Sequence, residues 1–196
     1  MRNTWIRRIS AIRKDGVESA INLTCGLNCI IGASNTGKTR IAKTVEFACG
    51  GKELPFTDKT AYEIAQVTFV TNGGEVSLSR SIHVQNTIHV KSSNPMIVPG
   101  SYSVSSRAGK SINTVLLALL GVESTRRIAT NETYHTVAFT WNAIRHLMIV
   151  PEDQIGRARP SILFPKSTSL ATLTQSLSSL LVLVQDEKID NSIQTE

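Results

Sequence analysis

Gly32-Ala33-Ser34-Asn35-Thr36-Gly37-Lys38-Thr39 is the stretch on which the reading of this chain turns. It satisfies GxxxxGK[ST] at every fixed position. Glycines at both ends let the backbone turn tightly, so that successive N–H groups face a phosphate. A lysine at position 38 reaches the β- and γ-phosphates as a point charge, and the Thr39 hydroxyl is placed to ligate Mg²⁺. The amides from Ala33 through Ser34, Asn35, Thr36 and Gly37, with the flanking Gly32 and Arg40, complete the expected ATP contacts.

Context strengthens the pattern. Leu27–Ile31, a short apolar run, precedes the loop and predicts a buried strand. After it, Ile41, Ala42, Val45, Ala48 and Cys49 recur at helical spacing until Gly50-Gly51 stops them. Strand, loop and helix in that order form the unit a phosphate cradle requires.

Upstream, Trp5, Ile6, Ile9 and Ile12 alternate with polar residues as an opening strand, and Lys14-Asp15-Gly16 supplies a turn. Ile21, Leu23 and Cys25 predict a second strand. Downstream the period changes: Ile64–Val70, Glu75–Arg80 and Ile82–Val90 read as strands, with Asn72-Gly73-Gly74 as a hairpin turn. Residues 91–109, rich in Ser, Pro and Gly, read as a loop. Ile112 to Leu120 predicts a second helix closed by Gly121. Trp141–Leu147 predicts a third, feeding a strand at Met148–Val150. From Leu170 to Val184, leucines follow one helical face.

The bulk properties narrow the setting. The chain has 196 residues, 41% of them hydrophobic, enough for one core and at most a small added lobe. No run of about 18 apolar residues suggests a membrane span, and the arginine-interrupted N-terminus lacks the apolar core of a secretory signal. Three cysteines, Cys25, Cys29 and Cys49, fit a reducing, cytoplasmic compartment and read as buried, inert thiols. Lys and Arg outnumber the acids by 21 to 15, which favours a polyanionic partner such as DNA without requiring one. Arg80, His83, Lys91, Arg107 and Lys110 are candidates for a basic surface, a solvated polar face being the plainer meaning. The four histidines are too scattered to make a metal triad.

Two further segments imitate nucleotide-site motifs. Gly109-Lys110-Ser111 precedes a helix, but Val104 stands where the first glycine belongs. Leu181 to Glu187 resembles a Walker B strand, yet Gln185 intrudes before the acid and the leucines keep a helical period.

The run from Gly26-Leu27-Asn28-Cys29-Ile30-Ile31-Gly32 to Thr39 resembles the opening segment of SMC-like ATPases. These are the ABC-type heads of chromosome-maintenance, recombination and double-strand-break repair proteins, with relatives in Lamassu-type anti-phage systems. Glu46 to Gly51, Leu78-Ser79-Arg80 and Leu147 to Ile155 extend the likeness. The resemblance implies an α/β P-loop fold of ABC/SMC-head type, with a mixed sheet, a β-rich subdomain and peripheral helices. An N-terminal head lobe would occupy residues 1–165. Residues 166–196 would form a terminal amphipathic helix and tail, either the start of a coiled coil or a helix packed on the core. It further implies a Q-loop, with Glu152 or Gln154 touching Mg²⁺ or the attacking water.

Members of that group keep their signature motif, Walker B acids and switch histidine in a C-terminal half-head beyond a long coiled coil. The expectation is therefore a half-head that binds ATP and Mg²⁺ but hydrolyses poorly until a C-terminal half and a second ATPase head join it. Two rivals remain open. One is a small P-loop kinase of a nucleotide or metabolite, with Arg126-Arg127 or Arg157 and Arg159 as lid arginines. The other is a nonhydrolytic nucleotide-binding module.

Overall fold

In a computed structural model the described residues are 4–57, 60–105, 108–122, 127–129 and 136–150. Two compact units divide at Gly121. In the first, strands β1 (Trp5–Arg13) and β2 (Glu18–Asn22) precede helix α1 (Lys38–Ala48). Strands β3 (Tyr62–Thr71), β4 (Gly74–Ser81), β5 (Thr87–Ser92) and β6 (Gly100–Ser103) follow, and helix α2 (Ile112–Leu120) closes the unit. In the second, β7 (Arg127–Ala129) and β8 (Thr136–Ala138) pair as a short antiparallel ribbon before α3 (Trp141–Met148).

The sheet of the first unit runs β2-β1-β3-β4-β5-β6, and every pairing is antiparallel. The α/β content agrees with expectation; the mixed sheet does not. Turns or short loops that reverse the chain join β1 to β2 and each consecutive pair from β3 to β6, which makes antiparallel neighbours, while β2 reaches β3 through the phosphate loop and α1.

Strict alternation sorts the strands into two faces. Ile9, Ala65, Val67, Val76, Leu78, Ile88, Val90 and Tyr102 are buried, and cross-strand register aligns them, Ile9 opposite Val67 and Val67 opposite Leu78. Complete burial of each large aliphatic side chain contributes about 1.5–3 kcal/mol. Against this face α1 sets Phe47 and Ala48, with Ile41 and Val45 partly buried beside Ile9 and Val67. On the other face Ser77, Ser79, His89 and Lys91 face one another across β4 and β5.

Four expectations from sequence need correction. Leu27–Ile31 is not a strand, and Leu27 and Ile31 are each 93% exposed. Both sides of β1 are already taken, by β2 and β3, and an extended run without a neighbour has no ladder to join. Ile82–Val90 is not one strand, because residues 82–86 turn and β5 begins at Thr87. The loop predicted at 91–109 contains β6, paired to β5. Met148 ends α3, and Ile149 and Val150 form no strand. The terminal leucine helix, the Walker B imitation and the boundary at residue 165 lie outside the described residues.

Candidate functional site

The loop starts from a pinned turn. The Asn28 carboxamide donates to the carbonyls of Thr24 (2.8 Å) and Gly26 (3.1 Å), and its oxygen accepts from the Thr24 amide at 3.0 Å. This closes the bend at Gly26, where φ is +102°, and releases the exposed run into the loop.

Within the loop Asn35 takes a left-handed conformation, φ +62°, which a short amide side chain tolerates better than most. The Thr36 hydroxyl donates to the Ala33 carbonyl at 2.8 Å. A β-carbon on Gly32 would lie 2.9 Å from that hydroxyl oxygen, so the first glycine is needed where the loop crosses itself. Gly37 is the N-cap of α1, at φ +92°.

Lys38 points back over the loop it ends. Its ammonium donates to the carbonyls of Gly32 (2.7 Å) and Ala33 (2.5 Å) and lies 3.5 Å from the Thr36 hydroxyl. Gly32, Ala33, Thr36 and Lys38 are thereby brought together. Among the described residues no protein acceptor takes the amides of residues 33–38.

The two N-termini of the first unit differ in a way that bears on function. At α2 the Ser111 side chain accepts from the Asn113 amide at 3.2 Å, a conventional cap. At α1 the cap is a glycine with no side-chain bond. Its first-turn donors, beyond the Arg40 amide bonded to Gly37, remain available where the helix dipole favours an anion. Thr39 and Arg40 are exposed on this first turn. Thr39 is the residue here that could hold a Mg²⁺, which takes few protein ligands and keeps several waters. Among the described residues no group of three or more His, Cys, Asp or Glu could hold a metal by itself. Glu152 and Gln154, the Q-loop candidates, lie outside the described residues.

Other candidates separate. Cys49 is buried, and burial pushes its thiol up to about 12. Cys25 and Cys29 are exposed, against the expectation of buried thiols. His83 approaches Glu63 at 3.6 Å, and His89 Nδ1 lies 3.0 Å from the Ser101 hydroxyl, both on the surface. Lys110 is exposed and sits over the Tyr102 ring. Arg80 leaves the proposed basic surface altogether: it is 4% exposed, and burial lowers its pKa to about 10. The sequence carried that signal unread, because Arg80 is in phase with Val76 and Leu78 on the core face.

No family model matches the chain, and no curated protein matches it at a significant level. The residues themselves carry the functional reading. No helix among the described residues is long and apolar enough to cross a membrane.

Proposed function

We propose that residues 32–39 bind the phosphates of Mg-ATP in the N-terminal half of an SMC-like ATPase head that acts on DNA in the cytoplasm. The observation that carries this reading is the return of the Lys38 ammonium onto the Gly32 and Ala33 carbonyls, with the loop amides and the uncapped α1 end left open. An ATP γ-phosphate arriving there exchanges those carbonyls for charge-assisted contacts, which are shorter and stronger. Thr39 would be the residue that holds Mg²⁺, whose positive charge would offset that of the phosphates.

Hydrolysis needs a positioned water and charge stabilisation beyond a phosphate cradle. The reading assigns those to a C-terminal half-head and a second head. Leu27 and Ile31 support a partner-completed site over a self-contained kinase. They are the apolar residues leading into the loop, and both stand in solvent. A strand supplied by the other half would bury them and take their free backbone groups.

Titration calorimetry with Mg-ATP tests binding, and phosphate release tests turnover. Micromolar binding without measurable hydrolysis is expected, in the range usual for nucleotide sites. Absence of binding at millimolar Mg-ATP overturns the reading. Phosphate transfer to a small acceptor by this chain alone would favour the kinase instead.

A further inference from the structure

Arg80 is a buried cation on the apolar face of β4. Nη1 donates to the carbonyls of Phe47 (2.6 Å) and Gly51 (2.7 Å), and Nε to that of Gln85 (2.8 Å). The guanidinium carbon lies 4.0 Å from the Phe47 ring centroid. Among the described residues no carboxylate pairs with it. Phe47 is in the last turn of α1 and Gly51 is in the chain leaving it, so the charge meets the negative end of the helix, where the Phe47 carbonyl also accepts from the Gly50 amide at 3.0 Å. An apolar residue would pack this face without desolvating a cation. It could not hold two carbonyls at a fixed place.

The opposite end of the same helix carries Lys38. Eleven residues make a rod of about 16 Å. Its apolar side chains press it onto β1 and β3 but leave sliding along the axis weakly opposed, because such contacts are non-directional. Directional bonds at one end oppose it.

We propose that Arg80 is a positioning residue for the phosphate loop: its grip on Phe47 and Gly51 from β4 sets where α1 lies along its axis, and hence where Lys38 and Thr39 meet phosphate. This rests on the nucleotide reading of the loop. The Gln85 bond joins the β4–β5 turn to the same anchor.

The test is Mg-ATP titration of folded wild type, Arg80→Met, Arg80→Lys, Lys38→Ala and Ile88→Ala, with a thermal melt of each. Ile88 is fully buried on β5, whose strand partners are β4 and β6, and serves as a core-destabilised control. Arg80→Met is expected to weaken binding about tenfold, the scale of coupling between linked positions. Arg80→Lys recovers part of that loss, because an ammonium still reaches the helix-end carbonyls. Ile88→Ala lowers the melting temperature with little change in affinity.

Wild-type affinity in folded Arg80→Met overturns the proposal, as does an equal loss in Ile88→Ala. If Arg80→Met does not fold, Arg80→Lys decides, and wild-type affinity there overturns it. Equal affinity of wild type and Lys38→Ala is a separate result: it overturns the nucleotide reading, and this proposal with it.

Discussion

The ammonium of Lys38 lies 2.7 Å from the carbonyl oxygen of Gly32, six residues earlier in the chain. The side chain thus spans the loop rather than the core. Lys38→Ala should weaken Mg-ATP binding about 100-fold, the loss expected for charge-assisted bonds to phosphate. Because the residue is exposed, stability should change by no more than about 0.5 kcal/mol. Calorimetry and urea unfolding on the same preparation check both halves. A variant that unfolds with the loss of binding contradicts the assignment of Lys38 to ligand rather than fold.

Thr39 stands one position further along the first turn of α1, exposed. If its hydroxyl holds Mg²⁺, Thr39→Ala should bind ATP about tenfold less tightly with Mg²⁺ present, the scale of one lost polar contact to a charged group. In excess chelator the variant and the wild type should bind ATP alike. A deficit that persists without the metal places the hydroxyl on phosphate instead.

Cys49 gives a stability signal with a defined sign. Its folded pKa is raised by burial from an ordinary value near 9.0 to about 12. The folded state therefore keeps a proton that the unfolded chain loses over this window. The contribution is fully present below pH 9 and is lost as pH rises toward 12, with a slope of up to about 1.4 kcal/mol per pH unit. Subtracting the Cys49→Ala profile from that of wild type isolates the effect from other groups. Parallel profiles between pH 9 and 11 would show that the thiol is not buried. At neutral pH a thiol reagent should modify Cys25 and Cys29 and spare Cys49 until the chain unfolds.

Ile31 should be replaceable. Ile31→Ser is expected to shift unfolding free energy by less than about 0.5 kcal/mol, as for a surface substitution. It should also lower the fluorescence of a bound apolar dye. A loss on the scale of core truncation, about 2–5 kcal/mol, would mean that another part of the chain covers Ile31.

Much of the fold was legible because it is local. The alternation of Ala65 and Val67 on β3, or of Val76 and Leu78 on β4, declares a half-buried strand by itself, and Gly50 and Gly121, at φ +96° and +76°, end helices for reasons intrinsic to glycine. What failed depended on neighbours. Leu27–Ile31 reads as buried from its composition, but burial and pairing require a second element. Residues 82–86 interrupt the strand expected at Ile82–Val90, and Arg80 meets that turn at the Gln85 carbonyl, a side-chain contact that no hydropathy period records. β6 was lost in its glycine and serines, since only the register of Ile88 with Tyr102 identifies it. At the candidate site the loop and its helix were legible from Gly32 to Thr39. The direction of Lys38 was not, because it follows from the loop closing on itself.

Asn28 has a consequence for how a partner would be met. Its bonds to Thr24 and Gly26 fix the direction in which Leu27 through Ile31 departs, while the Lys38 contact restrains the far end of the segment until phosphate displaces it. A peptide backbone already tethered at two points has surrendered much of its conformational freedom before any neighbour arrives. Docking against it then requires less ordering, and the rate of capture would be governed by encounter rather than by a folding step.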